Sequence, residues 1–221
     1  MANIDELPLE GPAIGPAMEG GADSLVILLH GYGADGNDLI GLAPVLSQHL
    51  PRTAFLSPNA PDLCEMAPQG RQWFSLLDRA EEAMFAGAQS AAPILNAFID
   101  QIMSLLQLPA SRVALVGFSQ GTMMSLHVSL RRAEPFAGVV GFSGLLVGRD
   151  VIGNEIVSRP PVLLIHGDAD EVVPYPALAA SSEALSAQGI AVESETRPGL
   201  GHGIDEAGLG IAVAFLKDRL G

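Results

Sequence analysis

Three short segments of the sequence carry side chains that together could perform nucleophilic catalysis. Residues 117–121 read GFSQG and match G-x-S-x-G, a pattern that presents a serine at a sharp turn between a strand and a helix. Residues 166–174 read HGDADEVVP, and residues 199–203 read GLGHG. A serine needs a base to take its proton, and the base needs an acid to orient it. Serine, aspartate and histidine in this chain order therefore predict a catalytic triad.

Ser119 is the candidate nucleophile because its surroundings match what such a turn requires. An apolar strand is predicted over 112–117 and a helix over 120–133. Gly117 and Gly121 remove the side chains that would clash at the turn. The free N–H groups and the positive dipole end of the helix would then face the reacting centre.

The candidate acid and base follow from their positions in the chain. Asp168 and Asp170 both follow the strand predicted over 161–166 and compete for the role of acid. Asp168 lies one residue past the Gly167 turn, where it would brace the loop, whereas Asp170 could reach a neighbouring loop. We therefore favour Asp170. His202, between two glycines after the last predicted strand, is the predicted base.

The other four histidines are predicted to be structural. His30 and His166 each end a strand, His49 closes a surface helix, and His127 lies in the helix that follows the candidate nucleophile. A single histidine at such a position is more often packed than catalytic.

A glycine-rich segment, LVILLHGYGADGND over 25–38, admits two interpretations. Its glycines are spaced G-x-G-x-x-G between a predicted strand and a predicted helix, at Gly31, Gly33 and Gly36. This spacing is typical of a dinucleotide-binding loop, but it also suits a loop that offers a backbone N–H to an oxyanion. The dinucleotide interpretation needs an acid ~20 residues later, at the end of the second strand. The strand predicted over 53–57 has none there, and Asp62 lies too far along, so we favour the oxyanion loop.

These segments need a scaffold that gathers several strand ends. Apolar runs alternate with amphipathic segments, which predicts a doubly wound α/β fold whose parallel sheet is covered on both faces. Strands are predicted over 24–29, 53–57, 112–117, 138–142, 161–166 and 190–196. Helices are predicted over 37–49, 87–107, 120–133, 175–188 and 205–220.

The chain is predicted to form a single domain over residues 1–221. Residues 1–23, rich in proline and glycine, are expected to be irregular, with at most a short edge strand. The segment 58–86 interrupts the alternation and holds the only tryptophan, Trp73. An excursion of this length predicts a loop that covers the site.

Composition and charge limit the partners. The net charge of −14 repels phosphate backbones and anionic lipid, so nucleic acid is not expected as a partner. The single cysteine, Cys64, excludes an internal disulfide and disfavours a cysteine-based metal site. No basic residue precedes Arg52, and no apolar stretch approaches the ~20 residues of a membrane span. We therefore expect a cytoplasmic protein with no membrane insertion.

Five motifs, HGYGADGND, PNAPD, GFSQG, HGDADEVVP and GLGHG, together resemble the phospholipase/carboxylesterase family of α/β-hydrolases, to which acyl-protein thioesterases belong. The resemblance runs from roughly residue 20 to residue 218. It implies an α/β-hydrolase fold, with a mostly parallel central sheet, helices on both faces and no large lid domain. It also implies small-molecule ester substrates with short to medium acyl chains, no metal or organic cofactor, and a possible homodimer.

The resemblance also carries site residues over by motif position. The triad falls on Ser119, Asp170 and His202. The oxyanion donors fall on the backbone N–H groups of Tyr32 and Gln120.

Three further residues are candidates for the substrate pocket. Trp73 belongs to a stretch that lies beside the active site in relatives, although Ser75 here replaces a common aspartate. Leu145 and Leu146 are candidates for an acyl pocket, but core packing would explain them equally well.

These observations predict a serine carboxylesterase that works through an acyl-serine intermediate. The alternatives on the same triad are an acyl-protein thioesterase or lysophospholipase, a peptidase and a lactone hydrolase. A nicotinamide- or flavin-dependent oxidoreductase rests only on the glycine spacing. A non-catalytic binding module is disfavoured because all three triad positions carry suitable residues.

Overall fold

A mostly parallel sheet forms the centre of the molecule in the computed structural model, which describes residues 7–221. Nine strands lie within these residues: β1 (Ala13–Ile14), β2 (Ser24–Leu29), β3 (Thr53–Leu56), β4 (Asp62–Leu63), β5 (Arg71–Gln72), β6 (Val113–Phe118), β7 (Gly138–Phe142), β8 (Val162–Gly167) and β9 (Val192–Arg197). The same residues form six α-helices: α1 (Gly36–Ile40), α2 (Ala43–His49), α3 (Glu81–Leu106), α4 (Gln120–Ser129), α5 (Pro176–Ala187) and α6 (Glu206–Leu220). None of these helices is both long and apolar enough to cross a bilayer.

Seven strands build the central sheet in the order β1-β3-β2-β6-β7-β8-β9. Only the short edge strand β1 runs antiparallel, against β3. The other six strands are parallel, so their carboxyl ends meet at one edge of the sheet. Residues that follow these strands are therefore brought together even when they are far apart in sequence.

Alternating side chains of the buried strands supply a core on each face of the sheet. Leu25, Ile27 and Leu29 of β2 pack towards α3 and α4. Val26 and Leu28 of the same strand pack towards α1, α2 and α6. Because both faces are covered, β2 is apolar along nearly its whole length, which is why the strand was evident from the sequence.

The predicted fold class is confirmed. All six predicted strands form, with ends within two residues of their predicted positions, and the edge strand expected within 1–23 is β1. No large lid domain is found in the described part of the chain. Residues 1–6 of the segment expected to be irregular lie outside the described residues.

Three helix predictions need correction. The helix predicted over 37–49 is two helices, because α1 ends at Ile40 and Pro44 starts a new helix in the first turn of α2. The helix predicted over 87–107 begins earlier, at Glu81, with two glutamates in its first turn. The helix predicted over 120–133 ends at Ser129.

A small hairpin of β4 and β5, which the sequence did not predict, lies in the excursion after β3. Its backbone is joined to the loop after β2 by two hydrogen bonds. The N–H of Gly33 donates to the carbonyl oxygen of Arg71 at 2.9 Å, and the N–H of Arg71 donates to Ala34 at 2.7 Å. The hairpin therefore lies beside the glycine-rich loop.

Candidate active site

Ser119 lies at a strained turn between β6 and α4. Its backbone angles are φ 53° and ψ −114°, a region that costs about 1–3 kcal/mol for a residue other than glycine. The turn is held by the N–H of Ser119, which donates to the carbonyl oxygen of Phe142 at 2.8 Å. The hydroxyl of Thr122 lies 2.9 Å from the carbonyl oxygens of Gly117 and Phe142, which share its single hydrogen.

The two glycines of the motif are required by close backbone contacts. A Cβ at Gly121 would overlap the carbonyl oxygen of Leu29 in β2, and a Cβ at Gly117 would overlap the backbone of Gly121. The start of α4 therefore lies directly against the ends of β2 and β6.

Asp170 and His202 form a hydrogen-bonded pair at the same edge of the sheet. The distance from His202 Nδ1 to Asp170 Oδ2 is 2.8 Å. The other carboxylate oxygen, Oδ1, accepts the N–H groups of Val172 at 2.8 Å and Val173 at 2.9 Å. With its Nδ1 proton donated to the carboxylate, the imidazole keeps a lone pair on Nε2 and can act as a base there.

The Asp170 side chain is fully buried but stays ionised. Burial raises the pKa of Asp170, but the hydrogen bonds from His202, Val173 and Val172 outweigh it, and the pKa lies below its ordinary value. The negative charge is therefore available to stabilise an imidazolium.

The loop that carries His202 is fixed next to Ser119. The imidazole packs on the ring of Phe118, the residue before Ser119, with the ring centroids 4.9 Å apart. The hydroxyl of Ser143, at the end of β7, donates to the carbonyl oxygen of Gly203 at 3.3 Å. The structure thus brings the three candidate triad residues to one edge of the sheet.

Asp168, the competing acid, contacts the histidine loop but not its imidazole. Its Oδ1 accepts the N–H of Gly199 at 2.6 Å. The backbone around Gly167 is also tight, because a Cβ there would overlap the carbonyl oxygen of Leu200. Asp168 thus joins the loops after β8 and β9.

The candidate oxyanion donors lie beside Ser119 with free N–H groups. A Cβ at Gly31 would come within 3.3 Å of the Ser119 Cβ, so the backbone before Tyr32 passes directly over the serine. Within residues 7–221, the N–H groups of Tyr32 and Gln120 donate to no protein acceptor. A developing negative charge next to Ser119 could accept both.

Trp73 and the Gln120 side chain support these donors from behind. The Trp73 N–H donates to Gln120 Oε1 at 2.9 Å, and Gln120 Nε2 donates to the carbonyl oxygen of Phe74 at 2.8 Å. The indole Nε1 of Trp73 donates to the carbonyl oxygen of His30 at 3.1 Å. Trp73 is 1% exposed, so its ring presents almost no surface to a substrate.

His30 fixes the start of the candidate oxyanion loop. Its Nε2 accepts the N–H of Ala60 at 3.0 Å, which leaves the proton on Nδ1, 2.8 Å from the carbonyl oxygen of Gly31. Burial lowers the pKa of His30, so the ring is neutral. It locks the peptide that precedes Tyr32.

Glu65, on the hairpin, links two residues of the site. Its Oε2 accepts the Ser75 hydroxyl at 2.8 Å and the Tyr32 hydroxyl at 3.4 Å. Burial and the contacts with Cys64 and Glu65 raise the pKa of Tyr32 to about 12, so the phenol remains a donor. Sequence reasoning missed this carboxylate, which accepts the hydroxyl of Ser75.

Leu145 and Leu146 line a cavity of about 250 Å³. Glu81 and Arg149 are its charged lining residues. The other lining residues are mostly apolar: Met84, Pro174, Pro176, Ala177, Ala180 and Ser181. A Cβ at Gly144, the residue before Leu145, would lie 2.8 Å from the carbonyl oxygen of Ser119. The cavity thus lies near the backbone of the serine turn, although neither Ser119 nor His202 lines it.

A second histidine also contacts the candidate acid. His166 Nε2 lies 3.2 Å from Asp170 Oδ2 and 3.0 Å from the carbonyl oxygen of Val173. The sequence contained one relevant signal, a spacing of four residues between His166 and Asp170. Within residues 7–221, no cluster of three or more His, Cys, Asp or Glu side chains is arranged to hold a metal ion.

The parallel sheet, the strained serine turn and the buried Asp-His pair at its carboxyl edge define an α/β-hydrolase. Residues 16–220 match the model of the phospholipase/carboxylesterase family. The chain therefore belongs to this family and is a hydrolase.

Two acyl-protein thioesterases of similar sequence agree with this assignment. The acyl-protein thioesterase 1 homolog 1 of Dictyostelium discoideum is 30% identical over 204 residues, which cover 88% of this chain and 90% of the relative. The acyl-protein thioesterase 1 of Neurospora crassa is 30% identical over 215 residues, which cover 88% and 86%.

Solved structures share the fold. The crystal structure of esterase PE8 superposes with a TM-score of 0.92 at 44% identity and covers 96% of this chain and 99% of that chain. SOBER1 of Arabidopsis thaliana superposes with a TM-score of 0.77 at 24% identity over 90% of this chain and 99% of its own.

Proposed function

We propose that the chain is a carboxylesterase that cleaves carboxylic esters through an acyl-serine intermediate on Ser119. The observation that carries this proposal is the arrangement around the serine. The strained turn presents Ser119, the Asp170–His202 pair lies at the same sheet edge, and two free N–H groups lie beside it.

In the first half of the reaction, Ser119 is acylated. His202 Nε2 takes the hydroxyl proton while Oγ bonds to the carbonyl carbon of the ester, whose π electrons move onto oxygen. The N–H groups of Tyr32 and Gln120 stabilise this oxyanion, an effect worth about 3 kcal/mol per donor. The carbon–alkoxide bond then breaks, and His202 gives its proton to the leaving alcohol.

In the second half, water releases the acid. His202 takes a proton from the water, whose oxygen attacks the acyl carbon, and the bond to Ser119 Oγ breaks as the proton returns to the serine. Asp170 stays ionised throughout and stabilises the imidazolium that forms in each half. No metal or organic cofactor enters this scheme.

The cavity beside Leu145 is the proposed acyl pocket. Its lining is mostly apolar, which suits an acyl chain. Arg149 and Glu81 form an ion pair among the lining residues, so a longer chain would have to pass charged groups or extend into water. We therefore propose short- to medium-chain acyl esters as substrates.

An acyl-protein thioesterase is the second candidate function. The named relatives at 30% identity support it, and the same triad would attack a thioester. Comparing kcat/KM for an S-acyl peptide with kcat/KM for an oxygen ester of the same acyl chain separates the two functions. The homodimer implied by the resemblance remains a prediction, to be checked by light scattering.

One experiment tests the main proposal. A set of p-nitrophenyl esters of increasing chain length, with thioester and lactone controls, is assayed with the wild type and with Ser119→Ala. We expect the wild type to turn over the shorter esters, and a fluorophosphonate probe to label Ser119. Wild-type rates in Ser119→Ala would rule out the acyl-serine mechanism.

A further inference from the structure

His166 contacts the same carboxylate oxygen as the candidate base. It stands near the end of β8, with its side chain only 1% exposed. The two atoms near its Nε2, Asp170 Oδ2 at 3.2 Å and the Val173 carbonyl oxygen at 3.0 Å, are both hydrogen-bond acceptors. Nε2 must therefore carry a proton, which it donates to the Val173 carbonyl oxygen while lying in close polar contact with Oδ2.

Three hydrogen bonds and one further N–H surround the carboxylate of Asp170. Oδ1 accepts the N–H groups of Val172 and Val173, and Oδ2 lies against His202 and His166. Oδ2 therefore meets the His202 ring through a hydrogen bond and the His166 N–H through a close polar contact.

The His166 ring is itself held by its neighbours. It packs edge-on against Tyr175, with ring centroids 6.3 Å apart and planes at 71°. The Tyr175 hydroxyl is 2.7 Å from the hydroxyl of Thr196, which lies opposite His166 in the register of β8 and β9. The donor is therefore rigid before any substrate binds.

We propose that His166 is a positioning residue for the hydrolysis, which holds Asp170 Oδ2 where it meets His202 and takes up part of the charge on that oxygen. The effect of His166 on the rate rests on the proposed ester hydrolysis. The effect of His166 on the protonation of His202 is independent of that function.

The direction of the effect follows from charge. Without the His166 donor, Oδ2 keeps more of its negative charge, which favours the protonated form of His202. Because the base must be neutral to accept the serine proton, the acid limb of the pH–rate profile should move to higher pH.

Other ionisable groups near His166 remain in place in this test. Tyr175 directly precedes α5. Asp168 and Glu171 flank Asp170 on the loop after β8, and Glu195 and Arg197 lie on β9. The neighbouring strand β7 carries no ionisable side chain. A changed pH profile would therefore report on the substituted donor.

The experiment compares two substitutions with a matched control. His166→Leu removes the donor, whereas His166→Gln keeps an N–H near the position of Nε2. His127→Leu replaces another buried histidine, on α4, whose Nδ1 has no partner among the described residues. Folding of each variant is checked by near-ultraviolet circular dichroism.

We expect His166→Leu to lower kcat about 10-fold to 100-fold, as for a displaced orienting carboxylate, with little change in KM. Its acid limb should move to higher pH. His166→Gln should restore most of kcat and the wild-type limb, and His127→Leu should match the wild type. Wild-type kcat and pH limb in His166→Leu, or no rescue by His166→Gln, would overturn the proposal.

A titration by NMR makes the test independent of turnover. The imidazole signals of His202 are followed against pH in the wild type, His166→Leu and His166→Gln. We expect the protonation midpoint of His202 to be highest in His166→Leu, and an unchanged midpoint overturns the proposal. If the wild type hydrolyses no ester, the proposed function fails while this titration still decides the role of His166. If His166→Leu does not fold, His166→Asn, whose shorter amide does not reach Oδ2, takes its place.

Discussion

At the scale of single residues, the site depends on glycine backbone atoms that lie so close to neighbouring atoms that a Cβ would not fit between them. Ser119 has unusual backbone angles because the first turn of α4, at Gly121, lies directly against the carbonyl oxygen of Leu29 at the end of β2. Gly31, Gly117 and Gly121 each face backbone or side-chain atoms at positions where a Cβ would be crowded. The strain at Ser119 is offset by the hydrogen bonds of the turn and by the packing of α4.

Gly121→Ala should destabilise the protein because its Cβ would overlap the carbonyl oxygen of Leu29. We expect a loss of about 1–3 kcal/mol in the free energy of unfolding, as for an overpacked core site. Urea denaturation measures it. Gly210→Ala, on α6, where a Cβ meets nothing within 4 Å, should instead stabilise the protein by about 0.4–1 kcal/mol. Equal stabilities for the two variants would contradict the close contact.

Asp170→Asn should lower kcat by about 10⁴-fold, because the amide can hold His202 in the wrong tautomer. The same variant should change how stability depends on pH. The pKa of Asp170 is depressed in the folded state, so its contribution is present above the unfolded pKa of about 3.9 and is lost as pH falls through the lower, folded value. Denaturation between pH 2 and 6, chosen as about two units either side of that value, should show a smaller acid-side loss in the variant than in the wild type. A loss as steep as that of the wild type would assign the acid sensitivity to other carboxylates.

At the scale of elements, the excursion between β3 and α3 supports the candidate oxyanion loop after β2. Its hairpin forms backbone hydrogen bonds with Gly33 and Ala34, and Trp73 donates to the carbonyl oxygen of His30. The Gln120 side chain joins the excursion to the first turn of α4. The two candidate oxyanion donors are therefore positioned by one connected set of hydrogen bonds.

Gly70→Ala should separate the hairpin from the oxyanion loop, because a Cβ at Gly70 would overlap the carbonyl oxygen of Gly33. We expect kcat to fall about 10-fold to 100-fold, as a donor is displaced, while Tm changes little because the hairpin lies outside the central sheet. Steady-state kinetics and thermal denaturation measure the two effects. Gly15→Ala, where a Cβ meets nothing within 4 Å, is the matched control. Equal kcat in both variants would mean that the hairpin does not position the donor.

The sequence predicted those elements that local pattern specifies. Strands buried on both faces, such as β6 and β8, appear as continuous apolar runs, and the serine motif stands directly between one such strand and a helix. The β4–β5 hairpin has no such pattern, because its two-residue strands form only by contact with the loop after β2. The break between α1 and α2 was missed because Pro44 was read as part of a continuous helix.

The candidate triad residues could be found from motifs and chain order, but their supporting contacts could not. Gln120 and Trp73 are 47 residues apart, and their hydrogen bond exists only once the excursion has folded back over α4. His166 was taken for a structural strand end because a single sequence does not show which way a buried imidazole points. Glu65 was missed because a single sequence does not show that its exposed carboxylate meets the hydroxyls of Ser75 and Tyr32.

At the scale of the whole molecule, charge should decide which substrates approach. The net charge of −14 comes from 25 acidic and only 11 basic residues. Several of the arginines are paired, such as Arg149 with Glu81 and Arg197 with Asp205. The field around the protein is therefore negative, and it repels anionic substrates before they reach Ser119.

This charge predicts different salt responses for two esters with the same acyl chain. For an ester whose alcohol carries a sulfonate, we expect kcat/KM to rise as salt increases from 0.01 M to 1 M, because the screening length falls from about 30 Å to about 3 Å. For the uncharged ester of matched size, kcat/KM should stay nearly constant, which controls for effects of salt on the enzyme itself. The effect should lie in kcat/KM and not in kcat, since repulsion acts on approach and not on the acyl-serine. A salt response that is the same for both esters would show that the charge lies too far from Ser119 to affect substrate entry.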